Sequence, residues 1–138
     1  MPRIVALDVG DATVGVAVTD ELGIAVHPVR TIRRTASIKA DLRVVEELLK
    51  ELEAEKVVVG LPLLASGDEG TQARKVRDFF DRLTRRLRIP TVLWDESLST
   101  SEAERILLEA DVSRVKRREV IDQMAAVLIL ESFLRETS

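Results

Sequence analysis

The chain has 138 residues, 46% of them hydrophobic and 33% charged, with a net charge of −3. That balance describes one globular domain with a real core and excludes a disordered chain. No run of eighteen apolar residues is present, so no membrane span is expected. With no cysteine and a single histidine, His27, the sequence excludes disulfides, thiol catalysis, cysteine-ligated zinc and a multi-histidine zinc site within one chain. Any metal would be held mainly by carboxylates, the donor set of Mg²⁺ or Mn²⁺. The net charge argues against a broad nucleic-acid-coating surface but allows a local basic patch.

Met1-Pro2-Arg3-Ile4 leads straight into a strand and leaves no room for a signal peptide, so a cytoplasmic protein is expected. The first strand, Arg3–Val9, is an unbroken apolar run ending in a carboxylate, Asp8, and then a glycine turn at Gly10. A second strand is expected at about Val14–Thr19 and a third at about Ala25–Ile32, the three forming an antiparallel meander. Pro28 assigns the third strand to a sheet edge. Ile38, Leu42, Val45, Leu48, Leu49 and Leu52 recur at helical spacing behind Ser37, a plausible cap. Lys56–Val59 is a buried fourth strand ended by Gly60-Leu61-Pro62. After a loop, a helix is expected from Thr71 to Leu87, stopped by Pro90, and Thr91–Trp94 is a fifth strand. Ser99 and Glu102 form a capping-box pattern opening a helix to about Ala110. A basic loop with Arg114, Lys116, Arg117 and Arg118 precedes a last, mostly buried helix over about Glu119–Arg135.

Three meander strands followed by helix-linked strands imply an α/β domain. Its sheet has five strands and is mixed, with three antiparallel N-terminal strands, then parallel ones, flanked by helices. The ribonuclease H-like fold heads the short list of folds with that order.

Three acidic positions lie where buried elements end or begin. Asp8 closes the first strand, Asp95-Glu96 follow the fifth, and Asp122 sits near the start of the last helix. Ala125, Ala126 and Ile129 share the Asp122 face. Each has an ordinary explanation, as a turn residue or as a favourable charge near a helix N-terminus. Together they form the pattern that two-metal phosphoryl chemistry needs, in which carboxylates neutralise two divalent ions flanking the scissile phosphate.

These residues also carry a family resemblance that runs end to end. The matching blocks are Asp8-Val9-Gly10 with Gly15-Val16-Ala17, Val59-Gly60-Leu61-Pro62-Leu63, Gly67 with Glu69-Gly70, and Gln72-Ala73 with Val76-Arg77. They continue through Asp95-Glu96 with Leu98-Ser99-Thr100, Ala103-Glu104, and Asp122 with Ala125-Ala126 and Leu130-Glu131. In this set and order the chain resembles the YqgF (RuvX) family of ribonuclease H-like nucleases, related to Holliday-junction resolvases. The resemblance implies a metal-dependent nuclease that matures the precursor of small-subunit ribosomal RNA. It implies Asp8, Glu96 and Asp122 as catalytic, metal-binding carboxylates for two Mg²⁺ or Mn²⁺ ions. Asp68 and Glu69 are the competing acidic residues, and they read more simply as charges ahead of a helix. The chain departs from the family at Ala12, Thr13, Leu64 and Ser97, where basic or polar residues are usual.

Nucleic acid, RNA or else a DNA junction, is the expected partner. Thr13, Arg114, Lys116, Arg117 and Arg118 border the expected site and are its candidate phosphate contacts; the arginine-rich second helix is the competing surface. Trp94 and the three phenylalanines read as core, and His27 as structural. No clear exposed apolar seam is visible, so a monomer or weak homodimer is expected. A single domain is too short for the two-domain kinase and ATPase folds that share an Asp-x-Gly turn. A second reading keeps the fold as a non-catalytic module that binds RNA or the ribosome-assembly and transcription machinery.

Overall fold

The two apolar runs at Val5–Leu7 and Val57–Val59 lie side by side at the centre of a five-stranded sheet. A computed structural model of the chain describes residues 3–96 and 114–137, with side chains over 3–96 and 120–137. Its elements are β1 (Arg3–Val9), β2 (Thr13–Thr19), β3 (Val26–Arg33), α1 (Ile38–Glu51), β4 (Ala54–Leu61), α2 (Thr71–Arg86), β5 (Thr91–Asp95) and α3 (Arg114–Thr137). The strand order is β3-β2-β1-β4-β5. β1–β2 and β2–β3 pair antiparallel, whereas β1–β4 and β4–β5 pair parallel. This is the five-stranded mixed α/β sheet of the ribonuclease H-like fold.

Alternation along the strands divides the core into two layers, as a period of two requires. Val5, Leu7, Val14, Val16, Val57 and Val59 face α1 and α2, where they meet Leu42, Val45, Phe79 and Leu83. Ala6, Ala17 and Val58 face α3, where they meet Ala126, Ile129, Leu130 and Phe133. The α3 side of the sheet is lined with small residues, so the helix sits close to it. Asp8, Thr13, Gly15, Gly60 and Glu96 share the α3 parity, which gathers them at one end of that layer.

The local signals act as their chemistry dictates. Ser37 caps α1, its hydroxyl accepting from the Ala40 amide at 3.1 Å. Pro28 lies on β3, an edge strand, with a register shift nearby between Val16 and Ala17. Several element boundaries differ from the sequence expectation, most clearly in β3, β4 and α3. β3 begins and ends one residue later, because the hairpin turn holds Ala25 through the Asp20 amide. β4 starts at Ala54 and runs through Gly60 to Leu61, paired on both sides by neighbours that the sequence pattern does not reveal. Arg114–Arg118 are not a loop but the first turns of α3, a stretch rich in good helix formers such as Arg, Lys and Glu. The helix expected between Ser99 and Ala110 lies outside the described residues. His27, expected to be structural, is exposed on β3.

Candidate active site

Asp8, the last residue but one of β1, lies directly opposite Gly15 of β2. A Cβ on Gly15 would fall 1.9 Å from the Asp122 carbonyl oxygen and 2.4 Å from its carbonyl carbon. Only glycine lets the α3 backbone come this close, and the approach places Asp122 over the β1–β2 pair beside Asp8. The Thr13 hydroxyl then donates to Asp122 Oδ2 at 2.5 Å. One turn position further on, Gln123 Nε2 donates to Thr31 Oγ1 at 3.2 Å, pinning the same helical turn to β3.

Glu96 reaches the same place from the other side. It follows β5, two strands from β1, and its amide continues the ladder by donating to Leu61 O at 3.2 Å. Its side chain crosses β4 at Gly60, where a Cβ would lie 2.7 Å from Glu96 Cδ and 2.8 Å from Oε2. The missing side chain at Gly60 is therefore the passage by which a carboxylate after β5 gets to β1. Glu96 is 7% exposed, and its Oε2 has no hydrogen-bond partner among the described residues. A buried carboxylate oxygen without a donor is costly and calls for a proton or a cation.

The electrostatics of the pair follow from this crowding. Burial pushes the Asp8 carboxyl up to about 6; the hydrogen bond from Glu96 opposes the rise and the nearby Asp122 charge adds to it. Burial, then the Asp8 charge, the hydrogen bond to Asp8 and the Asp95 charge push Glu96 up to about 10. Burial and the facing charges thus both favour the protonated form of Glu96 beside Asp8. Like charges held this close resist joint ionisation unless a cation joins them.

The structure therefore brings Asp8, Glu96 and Asp122 to one end of the α3 layer. The competing acids are engaged elsewhere: Glu69 is held by Arg77, and Asp68 accepts from the Ser66 hydroxyl at 3.2 Å. Thr13, expected to meet phosphate, has its hydroxyl hydrogen committed to Asp122. Arg114, Lys116, Arg117 and Arg118 lie on the turns of α3 that precede Asp122, their side chains outside the described ones. Ser99 and Thr100 lie outside the described residues altogether. The sequence does not single out Arg34, whose Nη1 donates to Gly10 O at 2.8 Å in the turn after Asp8.

The residues present fit divalent metal in the chemistry of their donors. They are all oxygen donors, one is an orphaned buried carboxylate oxygen, and mutual repulsion favours a shared cation. Among the described residues, no three acidic or histidine side chains already stand at ion-holding spacing. The hydrogen bond between Glu96 and Asp8 has to open for both to become ligands.

The sequence profile of RuvX, described as Holliday junction resolvase, matches residues 2–136. The chain belongs to the RuvX family. A relative from Desulforudis audaxviator (strain MP104C) is 46% identical over 132 residues, covering 96% of this chain and 93% of its own. Another from Listeria innocua is 50% identical over 137 residues, covering 99% of each chain. Both are curated as "Putative pre-16S rRNA nuclease". Among solved structures, T. thermophilus RuvC in complex with Holliday junction substrate superposes with a TM-score of 0.59 at 15% identity. It covers 99% of this RuvX-family chain and 97% of its own length, a likeness of fold.

Proposed function

We propose that this protein is a divalent-metal-dependent nuclease that hydrolyses phosphodiester bonds in RNA, with the precursor of 16S ribosomal RNA as its substrate in the cytoplasm. The observation that carries this reading is the convergence of Glu96, across Gly60, on Asp8, with Asp122 brought alongside by Gly15. Three carboxylates from chain-distant elements crowd one sheet end at an energetic cost, and cation binding is the chemistry that relieves that cost.

Asp8, Glu96 and Asp122, with Asp8 central in the trio, would hold the divalent ions. Bound there, Mg²⁺ or Mn²⁺ would supply activation of the attacking water and charge stabilisation at the leaving 3′-oxygen. The chain's own residues prepare the site. Thr13 fixes the Asp122 rotamer, Gly15 and Gly60 clear the approach of the two outer carboxylates, and the buried strand ends exclude bulk water. The Glu96 proton leaves when its carboxylate becomes a ligand, so metal affinity rises with pH. The Thr13 hydroxyl hydrogen is committed to Asp122, and a metal-activated water would leave no need for a side-chain nucleophile. The run of Arg114, Lys116, Arg117 and Arg118 on the turns of α3 ahead of Asp122 supports these residues as the contacts to the phosphate backbone.

The test is cleavage of end-labelled single-stranded RNA, single-stranded DNA and a four-way DNA junction, each with Mg²⁺, Mn²⁺ or chelator. Metal-dependent cutting of RNA in preference to both DNAs is expected. Preferential cutting of the junction would replace the RNA reading with a resolvase. RNA binding with no cutting of any substrate would favour a non-catalytic module.

A further inference from the structure

The turn that follows Asp8 is short and exposed at its tip, yet both Asp8 and the Thr13 that orients Asp122 depend on it. The Gly10 amide donates to Thr13 O at 2.8 Å and closes the turn on itself. The Lys75 ammonium of α2 pairs with Asp11 at the exposed tip at 3.2 Å, and the less exposed tie to the rest of the molecule is Arg34, the residue after β3. Its amide donates to Ala12 O at 2.8 Å, and its Nη1 donates to Gly10 O at 2.8 Å. Its Nε donates to Asp41 Oδ2 of α1 at 3.2 Å, and its guanidinium lies 5.1 Å over the Phe79 ring of α2.

The far end of this clamp is itself rigid. Asp41 is 2% exposed and also accepts from the Thr35 amide and hydroxyl, each at 2.9 Å. Burial works against its charge, but Thr35 and Arg34 outweigh burial and hold the carboxyl below the usual carboxylate range. Phe79 is 1% exposed in the core. A planar fork can serve a carbonyl, a carboxylate and a ring face at once; a lysine ammonium cannot.

From this geometry we propose that Arg34 is a positioning residue: by clamping the Gly10 turn to α1 and α2, it sets where Asp8 and Asp122 receive a divalent ion. This rests on the nuclease reading above and names a residue far in sequence from all three carboxylates. Arg34 touches no ligand itself and acts through the turn.

Three full-length proteins test it: wild type, Arg34→Lys, and the double variant Arg34→Met with Asp41→Asn. The double variant removes the buried carboxylate that loss of Arg34 would strand, so its melting temperature should return towards wild type. Its Mn²⁺ affinity, measured by calorimetric titration without nucleic acid, should still fall 10- to 100-fold, the usual effect of losing a ligand-orienting partner. On RNA, kcat should fall with KM within about threefold, and Arg34→Lys should not rescue it. Wild-type Mn²⁺ affinity in a stably folded double variant overturns the proposal, because Arg34 is then only structural. A raised KM at unchanged kcat overturns it too, because Arg34 would then be a phosphate contact. A wild-type protein that binds Mn²⁺ but cuts nothing overturns the nuclease reading instead, and the titration still decides the role of Arg34. A wild type that binds no Mn²⁺ overturns both.

Discussion

Replacing Gly15 with alanine perturbs the site through the backbone alone. The new methyl would sit 1.9 Å from the Asp122 carbonyl oxygen, and an ordinary contact needs 3.4 Å, so α3 must recede by about 1.5 Å at that turn. No flexible side chain can yield instead, because the other atoms in the way are the Asp122 carbonyl carbon and Cα, at 2.4 and 3.1 Å. Overpacking of this kind costs about 1–3 kcal/mol, which a domain of this size can survive. The Thr13–Asp122 hydrogen bond, at 2.5 Å, cannot span such a retreat without rearrangement. A misplacement near 1 Å at a reacting centre costs on the order of 100-fold in rate. Gly15→Ala should therefore stay folded at 25 °C with a melting point several degrees lower, and should lose about 100-fold or more in kcat on labelled RNA with Mn²⁺ present. A folded variant cutting within threefold of wild type would refute the claim that Gly15 sets the position of Asp122.

Other expectations follow from the same geometry. Gly60→Ala would place a methyl 2.7 Å from Glu96 Cδ and 2.5 Å from Ile129 Cδ1, so it should displace Glu96 and weaken Mn²⁺ binding by titration at least tenfold. Glu96→Gln should abolish cleavage yet stabilise the metal-free protein. The folded-state pKa of Glu96 is raised from 4.5 to about 10, so its contribution is fully present below pH 4.5 and is lost as pH rises towards 10. In chelator, the melting-point advantage of Glu96→Gln should therefore grow as pH rises from 4.5 through neutrality; an advantage that shrinks with pH would contradict the burial of Glu96. Charge removal at Arg114, Lys116, Arg117 and Arg118 together should raise the RNA Kd and lower the slope of log K against log salt by about 0.7 per lost contact, while kcat at saturating RNA holds. An unchanged salt slope would place the phosphate contacts elsewhere.

Much of this site is legible in the sequence because its main-chain supports are local. The apolar run before Asp8, the glycine turn after it and Pro28 on an edge strand each act over a few residues. The small faces at Gly15, Gly60, Ala125 and Ala126 signal close packing, but not what fills the space. That Glu96 passes over Gly60 follows from β4 lying between β1 and β5, a tertiary fact. The role of Thr13 is hidden because its partner is 109 residues away. Arg34 gives no signal at all: it follows an edge strand among other arginines, and only the fold joins it to Gly10, Asp41 and Phe79. The start of α3 is not legible because a basic run of good helix formers reads equally as loop or helix.

The central claim is that Asp8, Glu96 and Asp122 gather divalent ions to cut RNA. The most direct measurement compares wild type with Asp8→Asn, purified identically, on labelled precursor 16S rRNA fragments across a Mn²⁺ titration and with chelator. The account predicts cleavage that requires metal in the wild type and falls at least 1,000-fold in Asp8→Asn, on the order of the loss of an essential catalytic group, while RNA affinity is retained. Equal cleavage by the two proteins, or metal-independent cleavage by either, would contradict it.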